Sequence, residues 1–356
     1  MSTKKIYFGT NLKMYKGNQA VVQYLSELSD FANNLQPEYE ITLFVIPSYT
    51  TLKDAVSCAQ EKTGRLPIKI GAQNMNPNDN GQFTGEISPL MLNELGVQLV
   101  MIGHSERRHV MKETDQEENE KVLSALKHGF TTLLCIGETL EQKNYNISDE
   151  VLRTQLKIGL QGVSVEQLPS LWIAYEPVWA IGTGGIPATA DYADEKHTVI
   201  KQCLLELFGE ESKKIPVLYG GSVNLENSNE LILQPHIDGL FVGRSAWDAE
   251  NFYQLIINTL DVVSAEEMRS ISDENEFSII ARQLINELGG KSNISALTHC
   301  ATRIRVVLDD ETKIDKIAIE KISMVKGIFS ITKQFQIIFD KQIIDDIYSE
   351  LKILLK

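Results

Sequence analysis

Residues 99–109 read LVMIGHSERRH, an apolar run that turns abruptly polar and charged. The run is too short for a helix and too continuously apolar for a strand with one face in water, so it predicts a strand buried on both sides. Seven more such runs lie before residue 243: IYFG (6–9), ITLFVI (41–46), IKIG (68–71), TTLLCI (131–136), LWIAY (171–175), PVLYG (216–220) and GLFV (239–242). Polar stretches with helical spacing separate them, such as Val21, Tyr24, Leu25, Leu28 and Phe31, or Val122, Leu123 and Leu126 before Gly129. A strand-then-helix alternation repeated eight times predicts an α/β fold closed into a (β/α)8 barrel. A doubly wound sheet would carry Gly-x-Gly-x-x-Gly after its first strand, and none follows Gly9.

The chain has 356 residues, enough for a barrel and a second domain. A net charge of −14 repels nucleic-acid phosphates and anionic lipid, so neither is an expected partner. An anionic substrate must therefore be met locally. No apolar run is long enough for a signal peptide or a membrane span, which predicts a cytoplasmic protein without direct membrane insertion. Cys58, Cys135, Cys203 and Cys300 lie far apart with no C-x-x-C pair, arguing against a disulfide framework and against a zinc site.

In a parallel barrel, chemistry gathers where strands end. The residues just past the apolar runs are Asn11 and Lys13, Gln73 and Asn74, His104, Glu176, Gly221 and Ser222, then Gly243 and Arg244. Any one of them reads equally well as a cap or a solvated loop residue. Delivered together to one rim by separate strands, they read as a site.

Enolising a carbon beside a carbonyl needs a carboxylate to lift the proton, a donor to polarise the oxygen and a cation to neutralise the enediolate. Glu176, His104 and Lys13 offer those three groups. In AYEPVWAIGTG (174–184), Glu176 ends a strand and enters an apolar stretch, Pro177 to Ile181, followed by glycines. Such a lid expels water, and Gly182 and Gly184 bring backbone N–H groups to a phosphate. A salt-bridged rim glutamate is the plainer alternative, but it gives no reason for the apolar lid. His104 opens GHSERRH (103–109), where the positive end of a helix favours a neutral, donating imidazole. His109, His128, His197 and His236 read as structural. Lys13 lies two residues beyond Asn11, so alternation along an extended segment puts both on one face, toward the mouth.

GTNLKM (9–14), GHSERR (103–108), CIGET (135–139), AYEPVWAIGTG (174–184) and YGGSVN (219–224) resemble, in order, the motif set of the triosephosphate isomerase family. The resemblance covers residues 1–262 and implies a TIM barrel and an aldose–ketose isomerase of a small phosphosugar. It implies the interconversion of D-glyceraldehyde 3-phosphate and dihydroxyacetone phosphate through an enediolate, with no metal or organic cofactor. By the same resemblance Glu176 is the base, His104 the electrophile, and Lys13 and Asn11 contact substrate and enediolate. Glu106 holds Lys13, with Ser105 beside it as a supporting residue, and Gly182, Ser222 and Gly243 bind phosphate through main-chain N–H groups. A homodimer is implied too, in which a loop resembling NMNPNDNGQFTGEIS (74–88) reaches the neighbour's site through Thr84.

Three departures qualify the resemblance. Leu12 stands where the family usually has tryptophan. Arg244, in GLFVGRSAWD (239–248), stands where a second glycine is usual, and GGIPATADYAD (184–194) replaces the usual Gly-Lys-Thr-Ala hinge. The last two segments resemble a side branch of the family assigned to tetrulose phosphates in erythritol catabolism, which makes erythrulose phosphate a competing substrate. Arg244 either adds a charge-assisted contact to phosphate or fills space where a longer substrate ends. A different reading makes the barrel a non-catalytic sensor or scaffold.

The last barrel helix is expected at 249–262. SAEEMRSISDENE (264–276) is polar with no apolar rhythm, so 263–276 reads as a linker. Beyond it, Ile279, Ile280, Leu284, Ile285 and Leu288 predict an amphipathic helix stopped by Gly289 and Gly290. Strand-like runs follow at 304–308 and 336–339, then a helix carrying Ile343, Ile344, Ile347, Leu351, Leu354 and Leu355. This predicts a small C-terminal α+β domain over 277–356. In HCATRIRVVLDD (299–310), Arg303 and Arg305 favour the Cys300 thiolate and offer forked donors to a phosphoryl group on sulfur; a cysteine beside two surface arginines is the plainer alternative. LGGKSNISALTHCATRIRVVLDD (288–310), VKGIF (325–329) and KQFQIIF (333–339) resemble the glucose-family IIB domain of the bacterial sugar phosphotransferase system, with Lys333 where glycine is common. That resemblance implies Cys300 as a phosphocysteine, IIA and IIC proteins as partners, and phosphoryl relay or regulation of the barrel as the domain's role.

Overall fold

The computed structural model describes residues 5–35, 39–62, 66–182, 184–272, 276–331 and 334–355, with backbone only at 267–272. Lys333 lies outside them. The chain divides into two compact units, Met1–Val263 and Ser264–Lys356.

In the first unit eight parallel strands pair in chain order: β1 (Lys5–Asn11), β2 (Glu40–Ile46), β3 (Ile68–Ala72), β4 (Leu99–Ile102), β5 (Thr131–Ile136), β6 (Leu171–Tyr175), β7 (Val217–Tyr219) and β8 (Gly239–Val242). The last pairs with the first, Tyr7 opposite Gly239, and closes the barrel. Each strand is apolar on both faces because each face meets a different core. Leu43 and Val45 point out to the helices, whereas Phe44 and Ile46 point in with Tyr7, Leu99, Met101, Leu133, Trp172, Leu218 and Phe241. Phe44 fills the barrel's centre over Gly9, where an added Cβ would fall 2.0 Å from its ring. Truncating Phe44 to alanine costs about 3–5 kcal/mol.

Local signals set the helix ends. Thr114 and Glu117 form a capping box that starts Asp115–Lys127. Ser88 caps Pro89–Leu95, and Gly96, with φ +80°, ends it. The last barrel helix runs Ala249–Ser272, so 264–272 of the expected linker is helical. Absence of an apolar stripe does not stop an already nucleated helix through residues such as Ala265, Glu266 and Glu267. Among the described residues, no helix is long and apolar enough to cross a membrane.

The second unit is a four-stranded antiparallel sheet, β9 (Ile294–Cys300), β10 (Arg303–Leu308), β11 (Gly327–Ile331) and β12 (Gln334–Ile338), in the order β11-β12-β10-β9. Helices Glu276–Glu287 and Ile344–Leu355 pack on each other, and Ile280, Leu284, Ile347 and Leu351 share a core with Ile304, Val306, Phe335 and Ile337. Alternation leaves Cys300, Arg303, Arg305 and Gln336 on the sheet's other face. The sequence reading anticipated β10 and β12 but not the two edge strands.

Candidate active site

Gly103, with φ +73°, turns the chain between β4 and the helix Ser105–His109, and His104 is that helix's N-cap. Its Nδ1 accepts the Glu106 backbone N–H at 3.2 Å. An accepting nitrogen carries no proton, so the hydrogen of the neutral ring sits on Nε2. That nitrogen faces Glu176 Oε1 at 3.5 Å, beyond hydrogen-bond length. His104 and Glu176 are only 4% and 2% exposed, so both work out of bulk water.

Glu176 directly follows β6. Its N–H donates to Ile136 O at 2.7 Å, and its Oε2 accepts the Ser105 N–H at 3.2 Å. The end of β5 comes close enough to fix it only because residue 137 is glycine, since a Cβ there would lie 1.9 Å from Glu176 O.

Lys13 reaches the mouth by a route other than the extended alternation expected. β1 ends at Asn11, Leu12 is buried, and Lys13 is left-handed with φ +49°. This conformation costs a β-carbon residue roughly 1–2 kcal/mol and has to be held in place. Asn11 Oδ1 accepts the Lys13 N–H at 2.8 Å, and Gln73 Nε2 donates to Lys13 O at 2.8 Å and to Asn11 Oδ1 at 3.3 Å. Lys13 Nζ then meets Glu106 Oε1 at 2.8 Å. Partial burial pushes the Glu106 carboxyl up, but the hydrogen bond from Lys13 and the Lys13 charge hold it below its ordinary value.

The stretch after Glu176 is anchored by Glu138, a fully buried carboxylate absent from the residues picked out of the sequence. It accepts from Trp179 Nε1 at 2.8 Å, from the Tyr192 hydroxyl at 2.9 Å and from the Tyr175 hydroxyl at 3.0 Å. Lys143 Nζ lies 3.4 Å from the Trp179 ring centre. Burial first, and Glu138 after it, pushes the Tyr175 phenol well up, so it remains a donor. The signal was available: Glu138 follows the apolar run at 131–136 as His104 follows the one at 99–103.

A cavity of about 400 Å³ opens beside these groups, lined by Lys13, Gly182, Gly221, Ser222, Gly243 and Arg244 among others. Asn227 Nδ2 donates to Ser222 O at 2.8 Å and fixes that loop. A neighbouring cavity of about 500 Å³ includes Asn11, Gln73 and His104 and is edged by exposed Met14, Tyr15, Val110 and Met111. Thr84 is exposed in the irregular segment before Pro89. A larger cavity, about 860 Å³, lies elsewhere on the barrel and is lined by Lys5, Tyr7, Lys201 and Asp238. None of the candidate residues lines it, and Lys5 and Lys201 are paired with Glu40 and Asp238. Among the described residues, no group of three or more His, Cys, Asp or Glu side chains is placed to hold a metal ion.

In the second unit, Cys300 ends β9 at the turn into β10. Arg305 Nη2 lies 3.9 Å from its Sγ, and Arg303 Nη1 donates to Gln336 Oε1 at 3.0 Å. The Thr302 N–H foremost, then the Arg303 N–H and the two guanidinium charges, hold the Cys300 thiol below its ordinary value. Burial pushes the thiols of Cys58, Cys135 and Cys203 the other way.

Moving a proton from the carbon beside a carbonyl to the carbonyl carbon itself is isomerase chemistry, an intramolecular oxidoreduction, and the comparisons with known proteins agree. The family model of triosephosphate isomerase matches residues 6–259, and the chain belongs to that family. It is 43% identical over 273 residues to an L-erythrulose-1-phosphate isomerase of Rhizobium etli, covering 76% of this chain and 98% of that protein. A protein of the same name from Rhizobium meliloti is 44% identical over 264 residues, 72% of this chain and 97% of its own. A triosephosphate isomerase of Fusobacterium nucleatum is 39% identical over 254 residues, 71% of this chain and 98% of that protein. Residues 282–315 match the model described as phosphotransferase system, EIIB, so the isomerase is joined to an EIIB domain.

Proposed function

We propose that the barrel interconverts a four-carbon ketose phosphate of the erythrulose phosphate type with the corresponding aldose phosphate. The observation that carries this reading is the pair of Rhizobium relatives, named for L-erythrulose 1-phosphate, which match the whole barrel at 43% and 44% identity. It takes precedence over the triose pair placed first from the sequence.

The substrate carbonyl sits between His104 Nε2 and Lys13 Nζ. Glu176 turns from the Ser105 N–H to the substrate and takes the proton from the carbon next to that carbonyl. The C–H electrons form the enediolate double bond, the carbonyl oxygen gains the negative charge, and His104 and Lys13 stabilise it. Within the enediolate a proton passes by way of His104 Nε2 from the hydroxyl oxygen of the first carbon to the charged oxygen. Glu176 returns its proton to the former carbonyl carbon while the first carbon becomes the new carbonyl, so nothing is gained or lost overall. Asn11 holds Lys13 and reaches the same oxygen region. Gly182, Ser222 and Gly243 supply main-chain N–H groups to the phosphate, and the apolar residues 177–181 close over the carboxylate and exclude water.

The working unit is a homodimer, in which residues 74–88, with Thr84, meet the apolar rim formed by Met14, Tyr15, Val110 and Met111. The domains are the barrel at 1–262, a connection at 263–276 and the EIIB domain at 277–356. In the latter, Cys300 takes a phosphoryl group from a IIA protein for transfer to sugar at a IIC partner, or for signalling to the barrel, in the cytoplasm. Steady-state kinetics on erythrulose 1-phosphate and dihydroxyacetone phosphate test the substrate assignment. A higher kcat/KM for the tetrulose supports it, and a higher value for the triose overturns it.

A further inference from the structure

We infer that Arg244 is the cation that grips the substrate phosphate, adding a full charge to a site otherwise built from main-chain N–H groups; the inference rests on the phosphosugar reading above.

The loop that carries Arg244 is fixed before any ligand arrives. The Tyr24 hydroxyl donates to Ala246 O at 2.7 Å, the Ala246 N–H to Gly243 O at 3.0 Å, and the Trp247 N–H to Arg244 O at 3.1 Å. Trp247 Nε1 donates to Asn11 O at 2.9 Å, and the Tyr15 ring lies 4.4 Å from the Trp247 ring, tying the loop to the segment that carries Lys13. A loop held in this way has already met the ordering cost of presenting a side chain.

The guanidinium itself is uncommitted. Arg107 and Arg153 each sit on a carboxylate at 2.5 Å, and Arg108 is paired with Asp115 and Glu118. Among the described residues the Arg244 side chain has no hydrogen bond and no ion pair, in a chain of net charge −14 that offers many acids. It lines the cavity of about 400 Å³ with Gly182, Gly221, Ser222 and Gly243. Lys13, the other cation there, is bound to Glu106 and occupied at the carbonyl end. A planar fork of donors matches two phosphate oxygens at once, which a lysine cannot do. Lys13 serves the reacting oxygen, and Arg244 serves the phosphate.

A contact made equally in ground and transition states acts on KM. Full-length wild type, Arg244→Gly and Arg244→Lys are compared in calorimetric titrations with inorganic phosphate and in isomerase kinetics. Arg244→Gly is expected to bind phosphate roughly 10- to 100-fold more weakly and to lose kcat/KM by a similar factor through KM. Arg244→Lys recovers part of the loss, and guanidinium ion added to Arg244→Gly recovers part as well. Equal phosphate affinity in wild type and Arg244→Gly, with native circular dichroism, overturns the inference and leaves the isomerase reading standing. Weaker phosphate binding by Arg244→Gly, with no phosphosugar turned over by wild type, upholds Arg244 and removes the isomerase reading.

Discussion

His104 Nε2 lies 3.5 Å from Glu176 Oε1, while Nδ1 of the same ring accepts the Glu106 N–H. Three consecutive residues therefore organise three different groups. His104 turns Nε2 toward Glu176, the Ser105 N–H holds the Glu176 carboxylate, and the Glu106 carboxylate holds Lys13. The end of β4 is the point around which the site is assembled.

Glu106→Gln keeps the shape but loses the charge that holds Lys13. We expect kcat/KM to fall about 10- to 100-fold, as misplacement of a catalytic group does. Because the folded Glu106 carboxyl titrates below its ordinary 4.5, the ion pair contributes stability above that pH and loses it as pH falls through the lower folded value. Acid titrations of unfolding in wild type and variant check this; the variant should lack that component.

Glu138→Leu strands two donors, the Trp179 N–H and the Tyr175 hydroxyl, and leaves the Tyr192 hydroxyl only Ser148 Oγ at 3.3 Å. Leaving buried donors unpaired should lower the melting midpoint by roughly 10 °C, with a smaller drop for Glu138→Gln, which still accepts. Calorimetry of both variants decides it. A midpoint unchanged in Glu138→Leu rules out the hub.

Iodoacetamide should label the native protein at Cys300 alone, because the other three thiols are buried. The pH dependence of labelling should have its inflection below the ordinary thiol value of 9.0, and Arg305→Gln should move it up. Mass spectrometry of digests reads both. Labelling at Cys135 before Cys300 contradicts the burial pattern.

His197 is fully buried, donates through Nδ1 to His236 O at 3.2 Å, and is pushed down by burial to about 3. The unfolded imidazole takes a proton near 6.5 while the folded one does not. Stability present above pH 6.5 is therefore lost as pH falls toward 3, by at most about 1.4 kcal/mol per pH unit. Urea midpoints at pH 7 and pH 5 should differ less in His197→Gln than in wild type.

The barrel was legible because all eight of its strands are buried on both faces. Strands β9 and β11 were not, because they are sheet edges. Ser295, Thr298 and His299 on β9 and Ser330 on β11 interrupt the apolar run. Lys13, His104 and Glu176 were legible as positions just past a strand, but their linkage was not. The Ser105 N–H meets Glu176 across 71 residues, a contact that exists only once the barrel closes. Nor does any local pattern tell that Lys13 turns left-handed, or that Arg244 finds no acid.

The central claim is that Glu176 moves a proton between two carbons of a bound phosphosugar. It is tested most directly by running the reaction in deuterium oxide and following deuterium at the carbon beside the carbonyl by NMR. Wild type should exchange that position, and Glu176→Gln, still folded and still binding inorganic phosphate, should slow the exchange about 10²- to 10⁴-fold. Equal exchange rates in the two proteins would contradict Glu176 as the base, and an absence of exchange in wild type would leave the barrel a binding module.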